Sequence, residues 1–323
     1  MIGPANAGAT RRARLLFVHA HPDDETLTTG ITMAAYAAWG HDVHLLTCTL
    51  GEEGDVIPAD LAHHGSERED TLGAVRREEL RAAMAVLGVK HAVLGEDPAH
   101  GVASRYRDSG MAGTAGARHP DAFVRADLDE AAALLVGHIT ALRPDVVVTY
   151  DKTGGYAHPD HIQTHRVTVA ALAAVSALAR EAASGSDAGV EAVSVPVAYC
   201  IVTPRSWATQ DRSWLQDHVV SLDPKCVVLQ QDSPYASSVV SDEVVTHMVD
   251  EPALVAVQSR ALAEHRTQVT VYDGYYALSN HLAARLSGRE GFARLNPVTG
   301  DLLPAAPGAA RHTGLLVDAW DRP

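Results

Sequence analysis

This sequence predicts an α/β fold, a doubly wound parallel sheet with a smaller C-terminal lobe, and three observations predict it. Short apolar runs alternate with amphipathic helical stretches. The first and fourth of those runs each lead into a polar break with a His-Pro-Asp triplet, His21-Pro22-Asp23 and His158-Pro159-Asp160. Two long polar segments, Gly51 to Leu72 and Gly95 to Ala122, leave from the ends of other runs. In an open parallel sheet the ligand crevice lies beyond the carboxyl ends of the strands, so all four segments are candidate walls of one site.

Taken in order, Met1 to Thr10 reads as a loose Gly/Ala-rich leader and Leu15 to Val18 as a short buried strand. Thr26 to Trp39 is helical and stops at Gly40, and Asp42 to Thr49 is a second strand, which completes one βαβ unit. Leu80, Ala83, Met84 and Leu87 share one face of a helix over Arg76 to Leu87, followed by the apolar Ala92 to Leu94. Leu128, Ala132, Leu135, Ile139 and Leu142 mark another amphipathic helix, closed by Pro144 ahead of the strand Val146 to Val148. Ala183 to Gly189 is linker-like. We therefore divide the chain into a metal-binding catalytic core, 13–190, and a C-terminal lobe, 191–323, that helps shape the cleft. Within the lobe, Val195 to Val202 and Val227 to Leu229 read as strands, Ala253 to Glu264 and Tyr275 to Leu286 as helices, and the stretch beyond Gly291 has no strong periodicity.

The 323 residues are 46% hydrophobic and 20% charged, the balance of a folded globular enzyme rather than a disordered chain. A net charge of −14 disfavours nucleic acid and anionic membranes as partners and suits a neutral or cationic small molecule. The three cysteines, Cys48, Cys200 and Cys226, have no metal-binding CxxC spacing and are too few for a disulfide framework. Arg11 and Arg12 precede only four apolar residues, short of a secretory h-region, and no stretch is expected to approach the roughly 18 apolar residues of a membrane span, the nearest being Ala170 to Ala179. A cytoplasmic protein is expected.

The chemistry concentrates at His21-Pro22-Asp23-Asp24-Glu25, directly after the first strand. Pro22 restricts the backbone, and His21 and Asp24, three residues apart on one turn, can reach a single metal ion. The fourth strand leads into Tyr156-Ala157-His158-Pro159-Asp160-His161 at the same sheet edge. His21, Asp24 and His161 then supply two imidazoles and a carboxylate, a set that suits catalytic Zn²⁺ with an open position and is tolerated by Fe²⁺ or Mn²⁺. His19 and His165 are competing ligand choices; His19 points to the opposite side if the strand continues. His63 and His64 lie in the long loop and read as solvated. One carboxylate from the turn is enough for the metal, which leaves Asp23 as general base toward a water that zinc acidifies to about pKa 7. Its alternative role is a helix N-cap. A cationic His158 can stabilise an oxyanion or protonate the departing amine, and Tyr156, on a Gly-rich loop, can add a donor.

Four segments, HAHPDDE (His19 to Glu25), TCTLGEEGDV (Thr47 to Val56), RYRDSGMAGT (Arg105 to Thr114) and VVVTYDKTGGYAHPDHIQTH (Val146 to His165), resemble the LmbE-like or PIG-L-type metal-dependent de-N-acetylases. HRTQV and ALSNHLA extend the resemblance more weakly toward the end. It implies zinc on His21, Asp24 and His161, Asp23 as base, and His158 and Tyr156 on the tetrahedral oxyanion. It further implies that Arg76, Asp108 and Met111 line a sugar or inositol site. Asp55 stands where a GEEGE-type loop has Glu, a shorter side chain at one polyol contact. Within the family the segments look most like the branch acting on N-acetylglucosaminyl-inositol.

The expected reaction is hydrolysis of an acetamide to acetate and a free amine. No nucleotide is expected, because the loop after the first strand lacks GxGxxG. The rival expectations are cleavage of mycothiol S-conjugates by the same chemistry and, from another class, metal-dependent sugar binding without catalysis.

Overall fold

The computed structural model describes residues 12–184, 194–219, 226–306 and 308–320. The leader, most of the Ala183-to-Gly189 stretch and the division at 190/191 lie outside the described residues. The first half of the chain runs β1 (Arg14–His19), α1 (Asp24–Ala38), β2 (Asp42–Thr47), α2 (Leu72–Leu87), β3 (Lys90–Val93), α3 (Leu128–Leu142), β4 (Val146–Tyr150), α4 (Gly154–Ala157) and α5 (Pro159–Ser184). Then follow β5 (Val197–Ile201), β6 (Thr203–Pro204), α6 (Arg205–His218), β7 (Val239–Val240), β8 (His247–Asp250), α7 (Val255–Glu264), β9 (Thr270–Val271), β10 (Tyr275–Ala277), β11 (Ala283–Arg285), β12 (Arg289–Leu295), β13 (His312–Thr313) and α8 (Val317–Trp320).

The main sheet has eight strands in the order β13-β8-β12-β5-β4-β1-β2-β3. The five from β5 to β3 pair in parallel, as the alternation of apolar runs and helices predicts. The order reverses between β1 and β4, so the switch point falls between the two strands that lead into the His-Pro-Asp triplets. Strand alternation splits the core into two layers. Leu15, Phe17, Val146 and Val148 face one with α1, α2 and α7, whereas Leu16, Val18 and Val147 face the other with α3 and α5. Local signals set the helix ends: the Asp127 side chain accepts from Glu130 N at 2.9 Å to start α3, and Gly88, at φ 73°, ends α2.

The strands after Glu191 extend the same sheet. β5 continues its parallel part, and β12 pairs antiparallel with both β5 and β8. Three expectations are corrected. Tyr275 to Leu286 is the hairpin β10–β11, with Tyr276 opposite Ala284, and its turn has Asn280 accepting from Leu282 N and His281 at φ 60°. Cross-strand pairing and that turn override the helical periodicity. Val227 to Leu229 contributes one bridge, to Leu282, and no strand. Finally, the stretch beyond Gly291, read as having no strong periodicity, carries the second half of β12 together with β13 and α8; in β12 the residues from Glu290 to Ala293 are buried without alternation, which hides the period-2 signal. α5 is by length and composition long and apolar enough to cross a membrane. Its buried Val167, Ala171, Leu172 and Val175 pack in the layer shared with α3.

Candidate active site

The first triplet folds into a turn that the sheet edge, the neighbouring Glu25 and two distant side chains hold in place. Asp23 takes φ 108°, a conformation that L-residues rarely adopt. Its N–H donates to Glu25 Oε2 at 2.9 Å, and Glu25 Oε1 meets His265 Nε2 at 3.0 Å, with both of those side chains fully buried. Arg76, from α2, donates to the carbonyls of Pro22 and Gly51 and places Nη2 3.2 Å from Asp23 Oδ2. Asp23 occupies the N-cap position of α1, yet its side chain makes no capping hydrogen bond, so the carboxylate is left for other work. Burial, with Asp24 beside it, pushes the Asp23 carboxyl up to about 7 against the pull of Arg76.

The second triplet arrives at the same place from β4. Gly154, at φ 66°, lets the chain turn there, and a Cβ on it would lie 2.8 Å from both His161 Cβ and Ile162 N. His161 and His21 then flank Asp24: Oδ2 lies 3.1 Å from His161 Nε2 and 3.1 Å from His21 Nδ1. Burial opposes the Asp24 charge, but His161 and His21 hold its carboxyl well below the usual carboxylate range. The opposite ring nitrogen of His21, Nε2, is 3.3 Å from Asp108 Oδ1 and 3.3 Å from Asp160 Oδ2. Burial disfavours a charge on His21, and the Asp108 carboxylate, with hydrogen bonding to Asp108, Asp160 and Asp24, outweighs it and raises the pKa well above the usual imidazole value. Ser109 N donates to Asp160 Oδ2 at 2.8 Å, which ties the second long loop to α5.

The competing histidines are otherwise engaged. His19 Nε2 meets Thr29 Oγ1 at 3.0 Å and Nδ1 meets Tyr150 Oη at 3.2 Å, while His165 Nδ1 meets the Tyr150 carbonyl at 2.8 Å. His63 is exposed and His64 is half-buried against Thr71.

His158 packs against the pair, edge-on to His21 with ring centroids 4.7 Å apart and tilted against His161 at 5.0 Å. The cationic state expected for it is corrected here: burial, helped by the charges of His21 and His161, pushes its pKa down to about 3. Its Nδ1 accepts from Asp160 N at 3.2 Å, so the proton of the neutral ring sits on Nε2. Tyr156 is exposed, with its ring 5.0 Å from that of His161. Arg76, Asp108, Met111 and Asp55 line the same cleft of about 1360 Å³. Met111 is exposed, Asp55 Oδ2 accepts from Ser279 Oγ at 3.0 Å, and Arg76 and Asp108 are buried. Sequence reasoning assigned no role to Asp160, Tyr150, Glu25 or His265. Asp160 could have been found from its place between His158 and His161. The other three have their roles through partners remote in sequence or through burial.

The residues present fit a divalent cation. The donor atoms of His21, His158 and His161 lie within 4.8 Å of one another, as do those of His21, Asp108 and Asp160, and all five residues are buried. His161 Nε2, although buried, has the Asp24 carboxylate at 3.1 Å but outside hydrogen-bonding geometry, and Asp160 Oδ1 makes no hydrogen bond. A buried nitrogen without a proton partner, among imidazoles and carboxylates, has the character of a metal donor.

A site of this kind, at the switch point of a doubly wound sheet, defines a metal-dependent hydrolase of the α/β class. The family model PIG-L, GlcNAc-PI de-N-acetylase, matches residues 16–172. A 1D-myo-inositol 2-acetamido-2-deoxy-alpha-D-glucopyranoside deacetylase of Thermomonospora curvata is 44% identical over 94% of this chain and 96% of its own. The deacetylase 2 of that name from Catenulispora acidiphila is 44% identical over 88% of this chain and 89% of its own. Among solved structures, the N,N'-diacetylchitobiose deacetylase from Pyrococcus horikoshii is 20% identical over 79% of this chain and 70% of its own, with a TM-score of 0.48. The chain belongs to the PIG-L, or LmbE-like, family of de-N-acetylases.

Proposed function

We propose that the protein hydrolyses the acetamide of N-acetylglucosaminyl-inositol to glucosaminyl-inositol and acetate as a step of mycothiol biosynthesis, with zinc as its metal; the relatives described above are named as deacetylases of that compound. The observation that carries the reading is the convergence of His21 Nδ1, Asp24 Oδ2 and His161 Nε2 with the uncapped Asp23 carboxylate beside them. His21, Asp24 and His161 would hold the ion. When bound, it polarises the acetamide carbonyl and acidifies the attacking water.

The remaining work belongs to the chain's own groups. The Asp23 carboxylate, oriented by Arg76, takes a proton from the attacking water, and a base that titrates near neutrality is matched to that task. His158 Nε2–H donates to the carbonyl oxygen as it gains charge, and the Tyr156 hydroxyl adds a second donor from the cleft mouth. The proton gathered on Asp23 passes to the amine nitrogen as the C–N bond breaks, which leaves a neutral amine and acetic acid; the acid then gives its proton to the amine or to solvent and departs as acetate. Asp108, Asp55, Met111 and Arg76 line the part of the cleft assigned to sugar and inositol. Asp23 also weighs against sugar binding without catalysis, since holding a sugar needs no buried carboxylate at that point.

Cleft size favours a second reading. About 1360 Å³ exceeds the roughly 300–1,000 Å³ of ordinary small-molecule sites, and so leaves room for the longer S-conjugates of mycothiol. Acetate and amine release from N-acetylglucosaminyl-inositol, free N-acetylglucosamine and a mycothiol S-conjugate tests both readings. The inositol substrate should be turned over far faster than the free sugar, because a site built to bind hydroxyls loses heavily when they are missing. Faster cleavage of the conjugate would move the protein to the amidase reading. Equal use of both sugars would remove inositol from the substrate.

A further inference from the structure

Tyr150, the last residue of β4, sits behind the candidate metal ligands and is itself buried. Its Oη donates to Asp24 Oδ2 at 2.9 Å, accepts from Ala20 N at 3.0 Å and lies 3.2 Å from His19 Nδ1. Its ring stacks on that of His161, with centroids 4.2 Å apart and an interplanar angle of 18°. One phenol therefore touches one candidate ligand through its hydroxyl and another through its face.

The direction of the hydroxyl proton follows from its neighbours. Ala20 N–H occupies one lone pair of Oη, and the Asp24 carboxylate can only accept. Thr29 Oγ1 donates to the Glu25 carbonyl at 2.9 Å, so toward His19 Nε2 it accepts, and that nitrogen carries a proton. If His19 Nδ1 is bare, the phenol proton chooses between it and the nearer, charged Asp24 oxygen. If Nδ1 also carries a proton, it donates to Oη and Asp24 is the one acceptor left. Either way the phenol proton is directed at Asp24.

We infer that Tyr150 is the positioning residue of the metal centre, aiming the Asp24 carboxylate with its hydroxyl and backing the His161 imidazole with its ring. The inference rests on the reading of His21, Asp24 and His161 as metal ligands. Partners behind the ligands fix ligand orientation, and their loss typically costs 10–100-fold in metal affinity. The ring itself touches no reacting atom, so its effect falls on the metal.

The test is zinc affinity, measured by competition with a chromophoric chelator on the full chain, for wild type, Tyr150→Phe and Asp24→Asn, each checked for folding by circular dichroism and thermal unfolding. Tyr150→Phe keeps the stacked ring and removes the donor; the zinc dissociation constant should rise by about 10–100-fold. A merely structural tyrosine would lower the unfolding temperature with zinc affinity unchanged, and that result overturns the inference. Should Tyr150→Phe not fold, Tyr150→Met fills the space, gives Ala20 N–H a weak acceptor and offers Asp24 no donor, with the same expectation. Asp24→Asn separates the two levels. If it binds zinc like wild type, the ligand reading itself fails. If it loses zinc while Tyr150→Phe and Tyr150→Met keep wild-type affinity, the ligands stand and the role of Tyr150 falls.

Discussion

Arg76 Nη2 lies 3.2 Å from Asp23 Oδ2, and both side chains are buried. The pair sets the candidate base. Asp23→Asn should keep stoichiometric metal and lose at least about 10²-fold in kcat, the lower range for removal of a general base. The positive charge of Arg76 pulls the Asp23 carboxyl down against burial. Arg76→Gln removes that pull, so the Asp23 pKa should rise and the acidic limb of kcat/KM move to higher pH. A pH–rate profile of the two proteins reads the shift, and an unmoved limb would separate Asp23 from the proton transfer.

His21→Ala and His161→Ala should lose bound metal, whereas His158→Gln should retain it and lose on the order of 10²-fold in kcat, as expected for one oxyanion donor. Elemental analysis alongside turnover distinguishes the groups. Because the His158 pKa is pushed down to about 3, no ionisation of this residue should appear in the activity profile above about pH 5. Loss of metal from His158→Gln would instead make it a ligand.

At Gly154, φ 66° and the 2.8 Å approach to His161 and Ile162 leave no room for a side chain. Gly154→Ala should destabilise the fold by about 1–3 kcal/mol, the range for a left-handed non-glycine residue. It should also weaken metal binding, since relief of the clash moves the start of α5. Chemical unfolding and zinc competition measure the two effects. Wild-type values in both would show that the turn has slack.

A histidine remote from the cleft predicts acid sensitivity. Burial pushes the His247 pKa down to about 4, with Asp318 opposing and His312 and Arg294 assisting. Between about pH 4 and 6.5 the unfolded chain thus binds a proton that the folded protein does not. Stability is then full above about pH 6.5 and falls as pH drops toward 4. His19, also lowered to about 4 by burial, acts in the same direction. Unfolding temperatures at about pH 5 and pH 7.5 should differ less for His247→Asn than for wild type, and an unchanged difference would contradict a neutral, buried His247.

Much of the sheet was legible because the features that made it so are local. Apolar runs of strand length and helices with one apolar face specify their own periods, so β1, β2, α3 and β4 fall where periodicity places them. The two His-Pro-Asp triplets marked the site because each lies beyond a strand end, the first close behind β1 and the second after the short turn that follows β4, and the sheet order brings those strand ends together. The hairpin β10–β11 and the strand β12 were not legible: cross-strand pairing and burial on both faces decide them, and neither leaves a period in the sequence.

By itself the sequence determined which residue types meet at the switch point, His21, Asp23, Asp24, His158 and His161, since two short motifs carry all of them. Only the tertiary structure decided what each one faces. Tyr150 reaches Asp24 across 126 positions and His265 reaches Glu25 across 240, contacts that sheet order creates and no spacing encodes. Burial did the rest, holding His158 neutral and lifting Asp23 toward neutrality. The charge of a side chain depends on the solvent and charges around it, and those exist only once the chain has folded.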